Sequence, residues 1–211
     1  MAITCEIQEY KDIQKRVKKL EKAPETIVKR TLSDVKTRVP GWVAKEVAGE
    51  YGVKKGEVNS GALGKMKVKG EDIGSMQIVY TGRVLTPTHF GMTPKAPGKG
   101  AYTLKASILR GQKTELGKVK KLTKKQRRNL AKNFTRSGER TSDHSPIMLM
   151  PTGGTYIPFQ RKSTNRKDVQ AIKTVSLPQM VGSERTRAGI DRAISEGLGK
   201  RLEHHMKLLH K

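Results

Sequence analysis

The chain has 211 residues and a mass of 23.5 kDa, which suits one domain or one domain with an arm and excludes a multi-domain machine. It carries 44 Lys and Arg against 19 Asp and Glu, a net charge of +25, so its partner is expected to be acidic. No stretch reaches the roughly 18 apolar residues of a membrane span, and the N-terminus lacks the pattern of a secretion signal, so we expect a cytoplasmic protein without membrane contact.

The first part of the chain predicts helices. Apolar residues spaced three and four apart indicate an amphipathic helix over residues 6–22. A second helix is predicted to start at Pro24 and Glu25, because proline fits the first helical turn and glutamate favours its positive end. Pro40-Gly41 is expected to interrupt this helix, and a bend or a new helix should follow and stop at Gly52.

After residue 60 the apolar spacing changes from about four to two, which is typical of strands with one solvent-exposed face. Strands are predicted around residues 66–69, 76–80 and 104–108. The stretch 86–100 holds three prolines and three glycines and is expected to be a long loop. A hairpin is predicted over residues 146–159, with a turn at Gly153-Gly154 and its prolines at strand ends.

A long amphipathic helix is predicted from about residue 183 to residue 210, because apolar side chains recur there every three or four residues. It would be roughly 40 Å long, longer than a domain of this size needs, so one end is expected to project or to pack on a neighbour. The elements predict an α+β fold: an antiparallel β-sheet flanked by N-terminal helices and a long C-terminal helix. Residues 1–211 are interpreted as a single domain with a basic arm or insertion at about 110–146.

The basic arm has two interpretations. Residues 110–140 hold twelve Lys or Arg against Glu115 and Glu139, a net charge of +10. Such a cluster can contact DNA or another polyanion through phosphates without reading bases, or it can be a solvated or protein-facing arm. A dedicated reader is disfavoured, because Phe134 is the only aromatic residue in the run. The candidate polyanion or partner contacts are Lys118, Lys120, Lys121, Lys124, Lys125, Arg127, Arg128 and Lys132.

The sequence offers no constellation for catalysis. The common nucleotide-binding, hydrolase and zinc-protease motifs do not occur, and Gly98-Lys99-Gly100 is interpreted as a flexible turn rather than a phosphate loop. Glu71-Asp72 is interpreted as part of a turn between glycines. None of the five histidines has a partner at the helical spacing that a metal pair needs, and those of the last helix are interpreted as solvated. We therefore expect no catalytic residue, no cofactor and no metal, and a role in binding or assembly.

The most specific motif is Val-Ser-Leu-Pro-Gln-Met-Val-Gly at residues 175–182. It resembles the Ser-Val-Pro-Gln-Met segment that precedes a long C-terminal helix in phage minor tail protein Z and its relatives, the tail completion proteins of long-tailed phages and prophages. Leu177 stands where the family usually has valine. The same order of features precedes it: helices ending near residues 53–55, alternating Lys-rich strands, and the Tyr-Ile-Pro-Phe-Gln-Arg-Lys segment at residues 156–162.

The resemblance implies a non-enzymatic structural protein that acts at the head-proximal end of the tail, in tail assembly and head-tail joining. Its implied location is the virion tail, after assembly in the cytoplasm of the bacterial host. The implied partners are further copies of the chain, expected as a hexameric ring, the tail tube and the tail terminator or neck proteins, with non-specific contact to DNA in the channel.

Pro178, Gln179 and Met180 are predicted to form a fixed corner before the last helix, because proline restrains the backbone there. We call these three residues the assembly corner. Met180 could pack on the core or on a partner, and the core is favoured.

Two other classes of function compete with the tail protein. The charge alone would permit a free, sequence-non-specific nucleic-acid-binding protein, such as a ribosome-associated or nucleoid factor. That class predicts a salt-sensitive DNA complex of the isolated chain. A nuclease or other enzyme would need an acidic metal cluster, which the sequence does not contain in recognisable form.

Overall fold

A computed structural model describes residues 2–5, 24–69, 77–119, 147–161 and 168–209. The chain divides into two compact units, whereas the sequence analysis treated it as one domain. The first unit combines residues up to 83 with residues from 175 onward, and the second contains residues 84–174. The predicted helix at 6–22, the Glu71-Asp72 turn and residues 120–146 of the basic arm lie outside the described residues.

The described residues of the first unit form four helices and one three-stranded antiparallel sheet. The strands are β1 (Ala2–Cys5), β2 (Lys65–Lys69) and β3 (Gln77–Thr81), and the helices are α1 (Pro24–Glu50), α2 (Lys55–Asn59), α3 (Leu177–Val181) and α4 (Glu184–Leu209). The strand order is β1-β3-β2, so β3 is central. Ile78 and Tyr80 of β3 are buried, as the alternation in the sequence predicts. The strand β1 was not predicted.

The helices α1 and α4 pack against each other along most of their length. They are antiparallel, since Asp34 meets His205 whereas Trp42, further along α1, meets Gly197. Their buried residues recur at helical spacing, from Ile27 to Val47 in α1 and from Ile190 to Leu202 in α4. With 26 residues, α4 has a partner of 27 residues inside its own unit. Pairing with α1 therefore accounts for its length, so the length alone no longer implies that one end projects or packs on a neighbour.

The prediction that the first long helix breaks at Pro40-Gly41 and a new helix follows is wrong, whereas the alternative of a bend at this position stays a prediction. The helix α1 runs without a break from residue 24 to residue 50, with Pro40 inside it. Proline removes one hydrogen bond of the helix, but Val39 and Val43 on either side are buried. Tertiary packing of this face holds the helix together where the local propensity would break it.

Where the structure describes it, the second unit consists of strands and one short 3-10 helix at Pro87–Phe90. Its strands are β4 (Tyr102–Ala106), β5 (Thr114–Val119), β6 (Met148–Thr152), β7 (Thr155–Arg161) and β8 (Val169–Ala171). One antiparallel sheet is β4-β5 and the other is β6-β7-β8. Met92, Leu104 and Ile147 form the buried cluster of this unit. The predicted loop at 86–100 is confirmed, apart from the 3-10 turn and a single bridge between Thr93 and Lys105.

The predicted hairpin is confirmed as β6 and β7, but its two described prolines, Pro151 and Pro158, lie inside the strands. Gly153 and Gly154 form the turn with φ of 56° and 81°, which suits a two-residue type I′ connection. Pro158 lies in the middle of β7, where its carbonyl accepts a hydrogen bond from the Ile172 amide. The missing amide proton of Pro158 therefore falls at the end of the β7-β8 ladder, just beyond the last pair, Phe159 with Ala171.

The α+β fold class is confirmed, with the strands distributed over three antiparallel sheets and a long helix at the C-terminal end. Residues 114–119 of the predicted basic arm form β5 and pair with β4. The sequence of β5 does not show the apolar-polar alternation that predicts a strand. Its residues Thr114, Glu115 and Lys118 are exposed, and Gly117 stands where an apolar side chain would be expected. Across the described ranges, no helix is both long and apolar enough to cross a membrane.

Candidate assembly corner and basic surfaces

The turn before the C-terminal helix is a capping box. The Gln179 amide donates to Ser176 Oγ at 3.3 Å, and the Ser176 amide donates to Gln179 Oε1 at 2.8 Å. Ser176 Oγ also donates to Gln179 Oε1 at 2.9 Å. These reciprocal bonds satisfy backbone donors that a helix N-terminus leaves unpaired, and Pro178 at the start of α3 has no amide proton to satisfy. The motif Ser-Leu-Pro-Gln therefore folds as a helix start.

Hydroxyl groups form hydrogen bonds at the C-terminal end of α3. Thr186 is buried and donates to the Met180 carbonyl through Oγ1. Ser183 Oγ lies 3.0 Å from the same carbonyl and 3.0 Å from Thr186 Oγ1. The amide of Arg187 donates to the Ser183 carbonyl at 3.0 Å, so α4 begins directly after this turn. Backbone groups at the end of α3 and the start of α4 that have no partner within their own helix are therefore hydrogen-bonded within this turn. This pairing fixes the direction of α4 relative to α3.

The three residues of the assembly corner have different environments. Met180 is 0% exposed and Pro178 is buried, whereas Gln179 is exposed. The prediction that Met180 packs on the core is confirmed. A partner could reach this corner only through Gln179, whose carbonyl oxygen is already engaged in the capping box.

The corner packs closely on the sheet of the first unit. A side chain at Gly82 would come within 3.1 Å of Pro178 Cδ, and one at Gly64 would come within 3.2 Å of Leu177 Cδ2. Glycine at these two positions lets the backbone of the sheet approach α3. The corner therefore joins the sheet to the long helix pair.

The capping box was not predicted, although its signal is present in the sequence. Ser or Thr followed three residues later by Gln or Glu, just before an apolar run, is the pattern of a capped helix start. Residues 176–181 match it. The motif that carries the resemblance thus has a structural explanation within this chain.

Replacing Ser176 with alanine should lower the free energy of unfolding by about 1–2 kcal/mol, because the backbone amide of Gln179 would lose its acceptor and Gln179 Oε1 would lose one of its two donors. The measurement is urea unfolding followed by circular dichroism. Ser60→Ala is the matched control, since Ser60 Oγ makes one exposed bond to the Glu57 carbonyl and its loss should change stability by less than about 0.5 kcal/mol. Equal effects of the two substitutions would contradict the importance of the capping box.

One of the eight predicted contacts in the basic arm lies within the described residues. Lys118 is exposed on β5, opposite Thr103 of β4. The other seven lie outside the described residues: Lys120, Lys121, Lys124, Lys125, Arg127, Arg128 and Lys132. The geometry therefore places a single candidate contact on a regular strand.

A second basic surface, which the sequence analysis did not single out, lies on β2. Lys65, Lys67 and Lys69 alternate with Met66 and Val68, and the three lysines are exposed. Alternate residues of a strand lie on one face about 6.8 Å apart. The sequence signal was the alternation Lys-Met-Lys-Val-Lys, which predicted the strand but was given no function.

His205 corrects the interpretation of the last histidines as solvated. Its side chain is 12% exposed, and Nε2 lies 3.3 Å from Asp34 Oδ2 of α1. Arg201 contacts the same carboxylate at 3.7 Å. These contacts connect the end of α4 to α1. His204 is exposed, as predicted.

Asp191 of α4 is a partly buried carboxylate. Burial raises the pKa of the Asp191 carboxyl, and the Arg187 guanidinium partly opposes that shift. Within the described part of the chain, no group of three or more His, Cys, Asp or Glu side chains is placed to hold a metal ion.

Comparisons with protein-family models, with curated proteins and with solved structures give no significant match to this chain.

Proposed function

We propose that this protein is a structural component of a phage or prophage tail, a tail completion or minor tail protein that acts at the head-proximal end in tail assembly and head-tail joining. The main support is the segment 175–182, whose motif resembles that family and whose capping box stands directly before a helix of 26 residues. The proposal includes a hexameric ring of this chain, located in the virion tail and in contact with tail tube and terminator or neck proteins.

The distribution of charge supports an acidic neighbour. The helices α1 and α4 are nearly balanced, with five basic against four acidic residues and six against four. The segments 54–69 and 77–83 hold six basic residues and one acidic residue, Glu57. Copies of such a chain would repel one another in a ring unless acidic proteins or DNA lay beside them. A ring around a channel that DNA crosses would place this charge against a polyanion.

In this proposal the assembly corner orients α4 for assembly. Pro178 and Met180 are internal, so they set the direction of α4 and do not themselves touch a neighbour. Gln179 is the corner residue that a neighbouring subunit could reach.

A free, sequence-non-specific nucleic-acid-binding protein is the second candidate, because the excess of lysine and arginine would attract phosphates without any particle. It predicts that the isolated chain binds duplex DNA tightly at low salt, with an affinity that falls steeply as salt increases. The tail proposal predicts weak, non-specific binding. Titration of a labelled duplex at two salt concentrations separates the two functions.

Deleting the gene from the phage or prophage that encodes it should abolish normal particles. We expect at least about a hundredfold fall in infectious or tailed particles, because a head-proximal tail component has no substitute in the assembled particle. Electron microscopy of the lysate should show heads and tails that are not joined, or tails of abnormal length. Complementation in trans with the wild-type gene is the control, and normal particles in the uncomplemented deletion would overturn the proposed function.

A further inference from the structure

One edge of the strand β2 is unpaired among the described residues. In the sheet order β1-β3-β2 it pairs with β3 on one side, and no strand among the described residues pairs with its other side. In an antiparallel ladder every second residue directs its amide and carbonyl away from the paired neighbour. The outer side of β2 therefore offers backbone donors and acceptors in the pattern that an added strand needs.

A cavity of about 290 Å³ lies along this edge. Lys65, Met66 and Lys67 of β2 line it together with Tyr80, the β3 partner of Met66. Because the side chains of Lys65 and Met66 lie on opposite faces of the sheet, a cavity that meets both extends to the backbone edge of β2. Its other walls come from α1, from the end of α2 and from α3, and are largely apolar. We call this cavity and the adjoining edge the β2 groove; its apolar walls include Pro40, Val43, Val58, Met66 and Leu177.

The charges around the β2 groove select an acidic occupant. Lys65, Lys67 and Lys69 are exposed along the strand, and Glu57 is the only acidic residue in the segment 54–69. A second copy of β2 is a poor partner, because antiparallel pairing about Lys67 would set lysine opposite lysine at all three positions. An added strand with Asp or Glu at alternate positions would instead place its carboxylates opposite the lysines.

The walls of the groove favour a peptide over a nucleic acid. A phosphate backbone has no apolar side chain to set against Pro40 and Met66, the partly exposed apolar residues of the wall, and no amide to pair with β2. The aromatic residue in the wall, Tyr80, is 2% exposed and presents no stacking surface. An extended peptide can use the edge, the cavity and the lysines together.

We propose that the β2 groove binds an extended acidic segment of a partner protein, which adds to the sheet as a strand with apolar side chains in the cavity and carboxylates opposite Lys65 and Lys67. This inference uses only the groove and its charges, and it stands independently of the proposed tail function.

The test is fluorescence anisotropy with the full-length protein and a labelled, capped peptide of about nine residues in which Glu alternates with Val. The alternating peptide should bind at least about tenfold more tightly than a peptide of the same composition with its glutamates in one block, because only alternation matches a strand. Hydrogen exchange should show slower exchange of the β2 amides when the alternating peptide is bound.

The double variant Lys65→Glu/Lys67→Glu should weaken binding of the alternating peptide by at least about tenfold, because two attractions become repulsions. Lys29→Glu/Arg30→Glu is the matched control, with the same change of charge at exposed positions. Arg30 lies about 15 Å along α1 from Pro40, beyond the range of screened charges, so less than about a threefold loss is expected. Asn59→Trp, on the wall of the groove, should weaken binding without any change of charge.

Three outcomes would overturn the proposal: no binding of the alternating peptide, equal losses for the two charge-reversed variants, or preference for a short DNA duplex with the same dependence on Lys65 and Lys67. Circular dichroism of each variant establishes that it is folded before its binding is compared.

Discussion

Replacing Met180 with aspartate should leave the chain largely unfolded at neutral pH. Met180 is 0% exposed, so the substitution removes buried apolar contacts and places an unpaired carboxylate in the core. Loss of a buried methionine side chain costs about 2–5 kcal/mol, and an uncompensated buried charge costs about 3–5 kcal/mol. Domains are stable by only about 5–15 kcal/mol in total. Circular dichroism and urea unfolding should therefore show that the first unit has lost most of its folded structure.

Met180→Leu is the control, since a volume-conserving apolar substitution should cost less than about 1.5 kcal/mol. The aspartate variant should also depend on pH. Burial would raise the pKa of the introduced carboxyl in the folded state, so its penalty should diminish as the pH falls through that value and return as the pH rises. A Met180→Asp variant as stable as Met180→Leu at pH 7 would contradict the burial of Met180.

Gly197→Ala should destabilise the pair of long helices by about 1–3 kcal/mol. A Cβ at this position of α4 would lie 2.5 Å from Cζ2 and Cζ3 of Trp42 in α1. An indole ring is rigid, so the helices or the ring must move, and overpacking of this kind costs about 1–3 kcal/mol. Thermal unfolding followed by circular dichroism measures the effect.

Gly199→Ala is a matched control in the same helix, because a Cβ there would meet nothing within 4 Å. It should stabilise the protein by about 0.5–1 kcal/mol through helix propensity alone. In a Trp42→Ala background the penalty of Gly197→Ala should disappear, because the added methyl group would then occupy the space of the missing ring. The same sign for both glycine substitutions would contradict the close contact of Trp42 with Gly197.

Apolar periodicity predicted the long elements well. The start of α1 at Pro24, the strands β2 and β3, the β6-β7 hairpin and the span of α4 all follow from spacings of two or four and from a few turn residues. These are positions where local pattern and tertiary packing agree.

The observed structure differs from the predicted one at positions where tertiary packing overrides the local conformational preference of a residue. Pro40 stays inside α1 because valines on both sides of it are buried. Pro158 is tolerated in β7 because its missing amide proton falls at the end of a ladder. Neither arrangement is visible from one segment, because the neighbouring helix or strand decides it.

The candidate site was predicted in part. The sequence identified residues 178–180 and favoured an internal Met180, but it missed the pairing of Ser176 with Gln179 that explains the motif. The β2 groove could not be predicted, because its walls come from segments far apart in the chain, such as Val43, Val58 and Leu177. The alternating lysines of β2 can be recognised in the sequence, whereas the cavity beside them can be recognised only in the folded structure.

Quantitative mass spectrometry of purified particles, together with tails separated from heads, tests the central claim most directly. A head-proximal tail component in a hexameric ring should be present at about six copies per tail, in tail-bearing particles and in isolated tails but not in heads that have never carried a tail. Absence of the chain from tail-bearing particles would contradict the account.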